Sequence, residues 1–286
     1  MKTYYNSLAK NRFLTILLVF LLPASFVGLF AGAVYLLDFA QDENCLFLLD
    51  LLPHIGIGAF LWMLIAYYRG DKMMLNSAGA KPITRKENAT LYRLVDNLAI
   101  ASGLPKTPKI YIIDDDSLNA FATGRTVEKS SIAVTSGLLA KLNKNELEAV
   151  LAHEMSHILH RDVRLMMLVI TGIGFFTFVA ELLFRLLRRT KVKSSSKKKG
   201  NGLVAILFFV AIIMFVFGYF IAPLIRFALS RRREFQADAG SVKLTRNPQA
   251  MVSALKKISS DARVEILDKK QMMASVCIAN PLRFLC

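Results

Sequence analysis

The amino-acid sequence predicts an α-helical membrane protein that carries a polar α+β domain, helix-dominated and with a small β-sheet. Two observations predict it. Of the 286 residues 54% are hydrophobic, and the excess falls into four long apolar stretches, Phe13 to Leu37, Leu51 to Tyr68, Val163 to Leu187 and Leu203 to Leu229. Each approaches or exceeds the roughly 18 to 20 residues that carry a helix across a bilayer. The polar segment between the second and third stretches, in contrast, mixes helical spacing with short β-branched runs, as a folded domain does.

In the first stretch, Lys2, Lys10 and Arg12 precede an apolar run too long for a cleaved signal peptide and without a clear small-residue cleavage site, so it reads as a permanent anchor. Acidic Asp38, Asp42 and Glu43 follow it, and Arg69, Lys72 and Lys81 follow the second stretch. The positive-inside rule then makes 1–68 a two-helix anchor and puts the amino terminus and 69–162 in the cytoplasm. Within 69–162, Lys86 to Ser102 carries Leu91, Leu94, Val95 and Leu98 at helical spacing and stops at Gly103 and Pro105. Lys109 to Ile113 and Ser131 to Thr135 read as strands, with Asn119 to Gly124 leading to the second through a turn. Asn143 and Glu146 have the spacing of a capping box, which starts a helix expected to run through Asp162 with Leu147, Val150, Leu151, Met155 and Ile158 on its apolar face.

Residues 163–229 read as a hydrophobic hairpin around a basic loop, 188–202. Two crossings put Arg188, Arg189, Lys191, Lys193, Lys197, Lys198 and Lys199 outside, against the positive-inside bias. No crossing leaves two long apolar helices that need cover from protein or an interfacial position, which Glu181 and Arg185 would tolerate. Uncovered apolar surface costs about 25 cal/mol for each Å², the larger effect, so an inserted hairpin is favoured over that alternative. The last region, 230–286, is polar, with a helix beginning at Asn247 and Pro248 and continued by Met251, Leu255 and Ile258.

The formal charge of +16 sits largely beside apolar segments, where it meets anionic lipid headgroups, and the polar region lacks the basic and aromatic interleaving of a nucleic-acid platform. No nucleic-acid partner is therefore expected. Cys45, Cys277 and Cys286 have no metal-ligand or redox spacing and read as plain thiols.

The chemistry concentrates in Leu151-Ala152-His153-Glu154-Met155-Ser156-His157. H-E-x-x-H on a helix sets both imidazoles on one face, one turn apart, as two metal ligands, with Glu154 beside them as a base for water that zinc acidifies to a pKa of about 7. These are the residue types that amide hydrolysis needs. Of the other histidines, His160 reads as solvated helix surface and His54 as interfacial. Catalytic zinc takes a third protein ligand, and the run Arg231 to Gly240 offers one: on a helix, Glu234 and Asp238 share a face, so Glu234 can bind zinc while Asp238 holds the far nitrogen of a ligand histidine. From spacing alone, a solvated charged helix start fits that run equally well.

With the two amino-terminal anchors, Asn119-Ala120-Phe121-Ala122-Thr123-Gly124, Ala133-Val134-Thr135-Ser136-Gly137-Leu138-Leu139, His153-Glu154-Met155-Ser156-His157 and Arg233-Glu234-Phe235-Gln236-Ala237-Asp238 resemble the HtpX-type membrane metalloproteases, relatives of the prenyl-protein peptidases. The resemblance covers nearly the whole chain. It implies a zincin-like α+β metalloprotease domain in two parts, 69–162 and 230–286, a single Zn2+ per chain with Glu234 as third ligand, and Asn119 aligning the substrate backbone. It further implies a multi-pass protein of the bacterial cytoplasmic membrane that cleaves misfolded or damaged membrane proteins in a stress response. Relatives continue past Asn280-Pro281-Leu282 into a Thr-His-Pro-Pro segment whose histidine is associated with stabilising the oxyanion, whereas no histidine follows His160 here. Two rival readings remain at this level, an inactive zinc-binding adaptor for membrane protein turnover and a transporter. Glu154 argues against the first, since a pure binding site needs no base. The absence of charge between Phe13 and Leu37 argues against the second.

Overall fold

The structure, a computed structural model, describes residues 2–38, 50, 52–189, 201–217 and 222–260. It is dominated by helices and has one small sheet. The elements are α1 (Lys2–Asp38), α2 (Leu52–Ser77), β1 (Lys81–Pro82), α3 (Ala89–Ser102), β2 (Lys109–Ile113), β3 (Ala120–Gly124), β4 (Ser130–Thr135), α4 (Ser136–Lys141), α5 (Lys144–Leu159), α6 (Asp162–Arg189), α7 (Asn201–Val216), α8 (Ala222–Thr245) and α9 (Pro248–Ser260), with a 3-10 turn at Val127–Lys129. The three cysteines and the centre of the basic loop, 190–200, lie outside the described residues.

The chain divides into two compact units, one of Ile16–Ala66 and Thr171–Ala228, the other of Met1–Thr15, Tyr67–Ile170 and Leu229–Cys286. The first is apolar. Phe26, Phe30, Ala59, Phe176, Ala180, Val210 and Met214 form its buried centre, and Trp62 stacks on Phe178 at 6.2 Å. Among the described residues two helical segments are long and apolar enough to cross a membrane, Phe13–Gly32 and Asp162–Arg188. The second apolar stretch of the sequence lies in α2, while the fourth is shared between α7 and α8 around residues 218–221, which are not described.

The second unit holds the sheet, in the order β1-β2-β4-β3. β2 and β4 run parallel, from Lys109 beside Ser131 to Ile113 beside Thr135, and β3 returns antiparallel along β4 from Ala120 beside Val134 to Gly124 beside Ser130. Ala120–Gly124 is thus a strand rather than a turn. The turn is the 3-10 segment that follows, and the strand escapes prediction because Ala-Phe-Ala-Thr-Gly is poor in β-branched residues and buried on both faces. The short β1 at the other edge is exposed.

α3 forms as its spacing predicts. The Asn88 side chain accepts from the Leu91 amide at 3.0 Å, and Gly103 closes the helix in the left-handed region, φ 71°, where a side chain would be strained. α5 starts at the expected capping box, with Asn143 N–H donating to Glu146 at 2.8 Å and Glu146 N–H to Asn143 at 2.9 Å. Its apolar face, Leu147, Val150, Leu151, Met155 and Ile158, is buried among α3, β3, β4 and α9. The expected end at Asp162 is corrected: α5 stops at Leu159, Arg161 turns the chain with φ 57°, and Asp162 opens α6. α9 begins at Pro248 as expected, but Leu255 is exposed and the buried face is Ala250, Met251, Ala254 and Ile258.

Candidate metal centre

Buried apolar packing fixes α5, so its polar residues emerge at defined places on one face. His153 and His157, a turn apart, bring their Nε2 atoms to 3.2 Å with the rings nearly perpendicular, at 82°. The run Arg231 to Gly240 is helical, within α8, and that helix lays Glu234 against the pair: its Oε2 lies 3.5 Å from His153 Nε2 and 3.8 Å from His157 Nε2. A circle through three atoms so spaced has a radius of about 2.0 Å, the length of a zinc bond to imidazole nitrogen or carboxylate oxygen. The three residues therefore form a cluster able to hold a metal ion, with Glu234 half exposed on its open side.

Gly240 lets α8 come this close. A Cβ there would sit 2.1 Å from Ser156 Oγ and 2.8 Å from Ser156 Cβ, on the turn of α5 that carries the histidines. Beside it, the Ser241 hydroxyl donates to Ala149 O at 2.6 Å. Nothing local in the sequence marks Gly240, because its partner is far along the chain.

Behind these three residues stand carboxylates. Asp238 Oδ1 is 3.0 Å from His153 Nδ1, at ion-pair distance though out of line with a ring N–H, so it acts on the ring more by charge than by a linear hydrogen bond. The sequence reading missed Asp162, whose Oδ2 lies 3.5 Å from His157 Nδ1 and whose Oδ1 lies 3.7 Å from Arg233 Nε. Burial disfavours a charged His153, but Asp238, Glu234 and Glu154 outweigh it and lift its pKa to about 10. Burial likewise pushes the Glu154 carboxyl up, opposed by the two histidines. Arg233 is drawn down by burial against the opposing charges of Asp162 and Glu234.

Asn119 immediately precedes β3 and is buried. Thr135 pins its backbone, with the Thr135 hydroxyl accepting from its N–H and the Thr135 N–H donating to its carbonyl, both at 3.0 Å. Among the described residues, neither polar atom of its side chain has a hydrogen-bond partner. His160 caps α5, its Nδ1 2.8 Å from Ser156 O, and His54 Nδ1 is 3.3 Å from Asp50 O; neither belongs to the cluster.

The chain is similar in sequence to known proteins over most of its length. A protease HtpX homologue of Bacteroides fragilis is 42% identical over 233 residues, 82% of this chain and 71% of its own. One of Dictyoglomus turgidum is 37% identical over 285 residues, 98% of this chain and 87% of its own. A crystal structure of S. mikatae Ste24p aligns with 95% of this chain and 66% of its own at 17% identity and a TM-score of 0.47. The sequence pattern of peptidase family M48 matches residues 85–276, which include every member of the cluster, and this chain belongs to that family.

Proposed function

We propose that the protein is a membrane-bound zinc endopeptidase that hydrolyses internal peptide bonds of misfolded or damaged membrane proteins in the bacterial cytoplasmic membrane. The spacing of His153, His157 and Glu234 carries this reading, because three donors equidistant from one point at zinc-bond length leave a position open for water or substrate. One Zn2+ per chain would be held by these residues, and when bound it would supply Lewis acidity, making water more acidic and a carbonyl more electrophilic.

The remaining chemistry belongs to the chain. Glu154, buried beside the histidines and with its pKa raised, accepts the proton of the attacking water and returns it to the amine that leaves. Asp238 keeps the His153 ring turned so that Nε2 faces the ligand position. Asn119 binds the substrate backbone: an amide held rigidly by its own backbone yet without partners for its side chain among the described residues carries a cost of about 1 to 3 kcal/mol, which a substrate hydrogen bond would offset. In this reading 1–68 and 163–229 are the membrane parts of a multi-pass protein, and 69–162 with 230–286 form a metalloprotease domain facing the cytoplasm, as the distribution of basic residues favours.

Metal analysis of the purified chain, with digestion of a denatured protein by the parent and by Glu154→Gln, tests the proposal. It expects about one zinc in both and proteolysis in the parent alone. Zinc without proteolysis in the parent would favour the adaptor reading, and equal activity of the two would remove Glu154 from the mechanism.

A further inference from the structure

Asp162 touches two of the elements that build the metal centre, and the backbone bends to put it there. On an uninterrupted α-helix a residue five positions after His157 would project about 140° away from it. The chain instead leaves α5 and turns through Arg161 at φ 57°, a conformation that costs a non-glycine residue roughly 1 kcal/mol or more and that marks places where geometry is demanded. The turn returns the next side chain, Asp162, to His157 Nδ1 at 3.5 Å. Its other oxygen faces Arg233 Nε at 3.7 Å, and both partners are nearly removed from water, with side chains 3% and 10% exposed. Arg233 directly precedes Glu234 on α8, so a guanidinium tied to Asp162 fixes the rotation of that helix and with it the direction in which Glu234 points.

We propose that Asp162 and Arg233 form a positioning clamp that couples the ligands of the metal centre, one carboxylate oxygen setting the ring of His157 and the other holding α8 so that Glu234 meets the two histidines. The proposal rests on the reading of His153, His157 and Glu234 as zinc ligands. The two halves of the site are complementary. Asp238 orients His153 from the same helix as Glu234, whereas His157 is oriented from the start of α6, so the link between Asp162 and Arg233 is what ties the two arrangements together. A buried ion pair of this kind gives uncertain net stability, which makes geometry the better account of its presence.

The test uses the full chain purified with its metal. Zinc affinity is measured by chelator competition for the parent, Asp162→Asn, Arg233→Gln and the double variant, together with the visible absorption of each protein loaded with Co2+ and its thermal unfolding. Each single change is expected to weaken zinc binding about 10- to 100-fold and to alter the cobalt spectrum. The double variant is expected to be no weaker than the worse single one, because both act through one contact. Should Asp162→Asn fail to fold, Arg233→Lys carries the test, since it keeps the charge and loses the guanidinium fork; an affinity between those of the parent and Arg233→Gln is expected. Unchanged zinc affinity, losses that multiply in the double variant, or lowered thermal stability with an unaltered cobalt spectrum would overturn the clamp. A parent without zinc, by contrast, would remove the ligand assignment itself and the clamp with it.

Discussion

Gly240→Ala should loosen the metal centre without touching any group that binds metal. The added Cβ would stand 2.8 Å from Ser156 Cβ and 2.1 Å from Ser156 Oγ. Rotating the hydroxyl away relieves the second contact but not the first. An ordinary carbon–carbon contact begins near 3.5 Å, so α8 and α5 must separate by about 0.7 Å, several times the roughly 0.2 Å tolerance of a zinc–ligand distance. Such overpacking costs about 1 to 3 kcal/mol of stability. Because Glu234 rides on the helix that moves, zinc affinity measured by chelator competition should fall about tenfold or more, while zinc held by an isolated surface ligand set would not respond. Ser156→Gly combined with Gly240→Ala should recover most of the affinity, since it removes both colliding atoms, and the helix-propensity cost of about 1 kcal/mol for glycine at 156 is largely offset by alanine at 240. Parent-like zinc affinity in Gly240→Ala, or no recovery in the double variant, would refute the claim that close approach of these helices sets the ligand geometry.

Three further outcomes are expected. Glu154→Gln should retain zinc and lose proteolysis about 10²- to 10⁴-fold, because the amide keeps the shape and cannot accept a proton; metal content and digestion of a denatured protein measure the two separately. Asn119→Ala should lower kcat/KM about 10- to 100-fold while leaving thermal stability equal or higher, since the amide removed is buried without partners; a large loss of stability with an unchanged rate would make it structural. Glu146 supplies the pH dependence. Burial raises its pKa, but Lys257 at 2.7 Å, Ser253 at 2.6 Å and the Asn143 amide at 2.8 Å outweigh that and hold it at about 2 against an ordinary 4.5. Because the folded value is depressed, the stabilisation is complete above about pH 4.5 and is lost as the pH falls toward 2, with Lys257 half exposed limiting it to on the order of 2 kcal/mol. Denaturant unfolding between pH 7 and 3 should show this slope in the parent and a flatter one in Glu146→Gln.

What the sequence disclosed follows from how local each feature is. α5 could be read because its cap, its apolar period and its two histidines are all encoded within one short segment. Glu234 and Asp238 could be placed on one face of a helix, but nothing in their spacing says that the helix meets α5; that required the resemblance to other chains. Gly240 and Asp162 were not legible for the same reason, since the first matters through Ser156 and the second through His157 and Arg233, contacts that only the folded chain brings together. β3 failed differently. Its small residues are a response to burial on both sides, and a propensity scale built on β-branched side chains does not see that demand. Leu255 shows the limit of periodicity itself, because a helical repeat names two adjacent faces and packing against α5 selects the one with Ala254.

The distribution of charge around the centre gives a final reason why a divalent cation belongs there. Glu154, Asp162, Glu234 and Asp238 bring four carboxyl groups to two imidazoles, and the guanidinium of Arg233 faces Asp162. Their influence shows on their neighbours: Asp238, Glu234 and Glu154 lift the pKa of His153 to about 10 against burial, and burial pushes the Glu154 carboxyl up against the two histidines. A metal ion held by His153, His157 and Glu234 would set two positive charges among these carboxylates and would favour an ionised Glu154, able to serve as a base. This concentration of acid arises from three helices, α5 with Glu154, α6 with Asp162 and α8 with Glu234 and Asp238, and a doubly charged cation is the ligand that such a charge distribution favours.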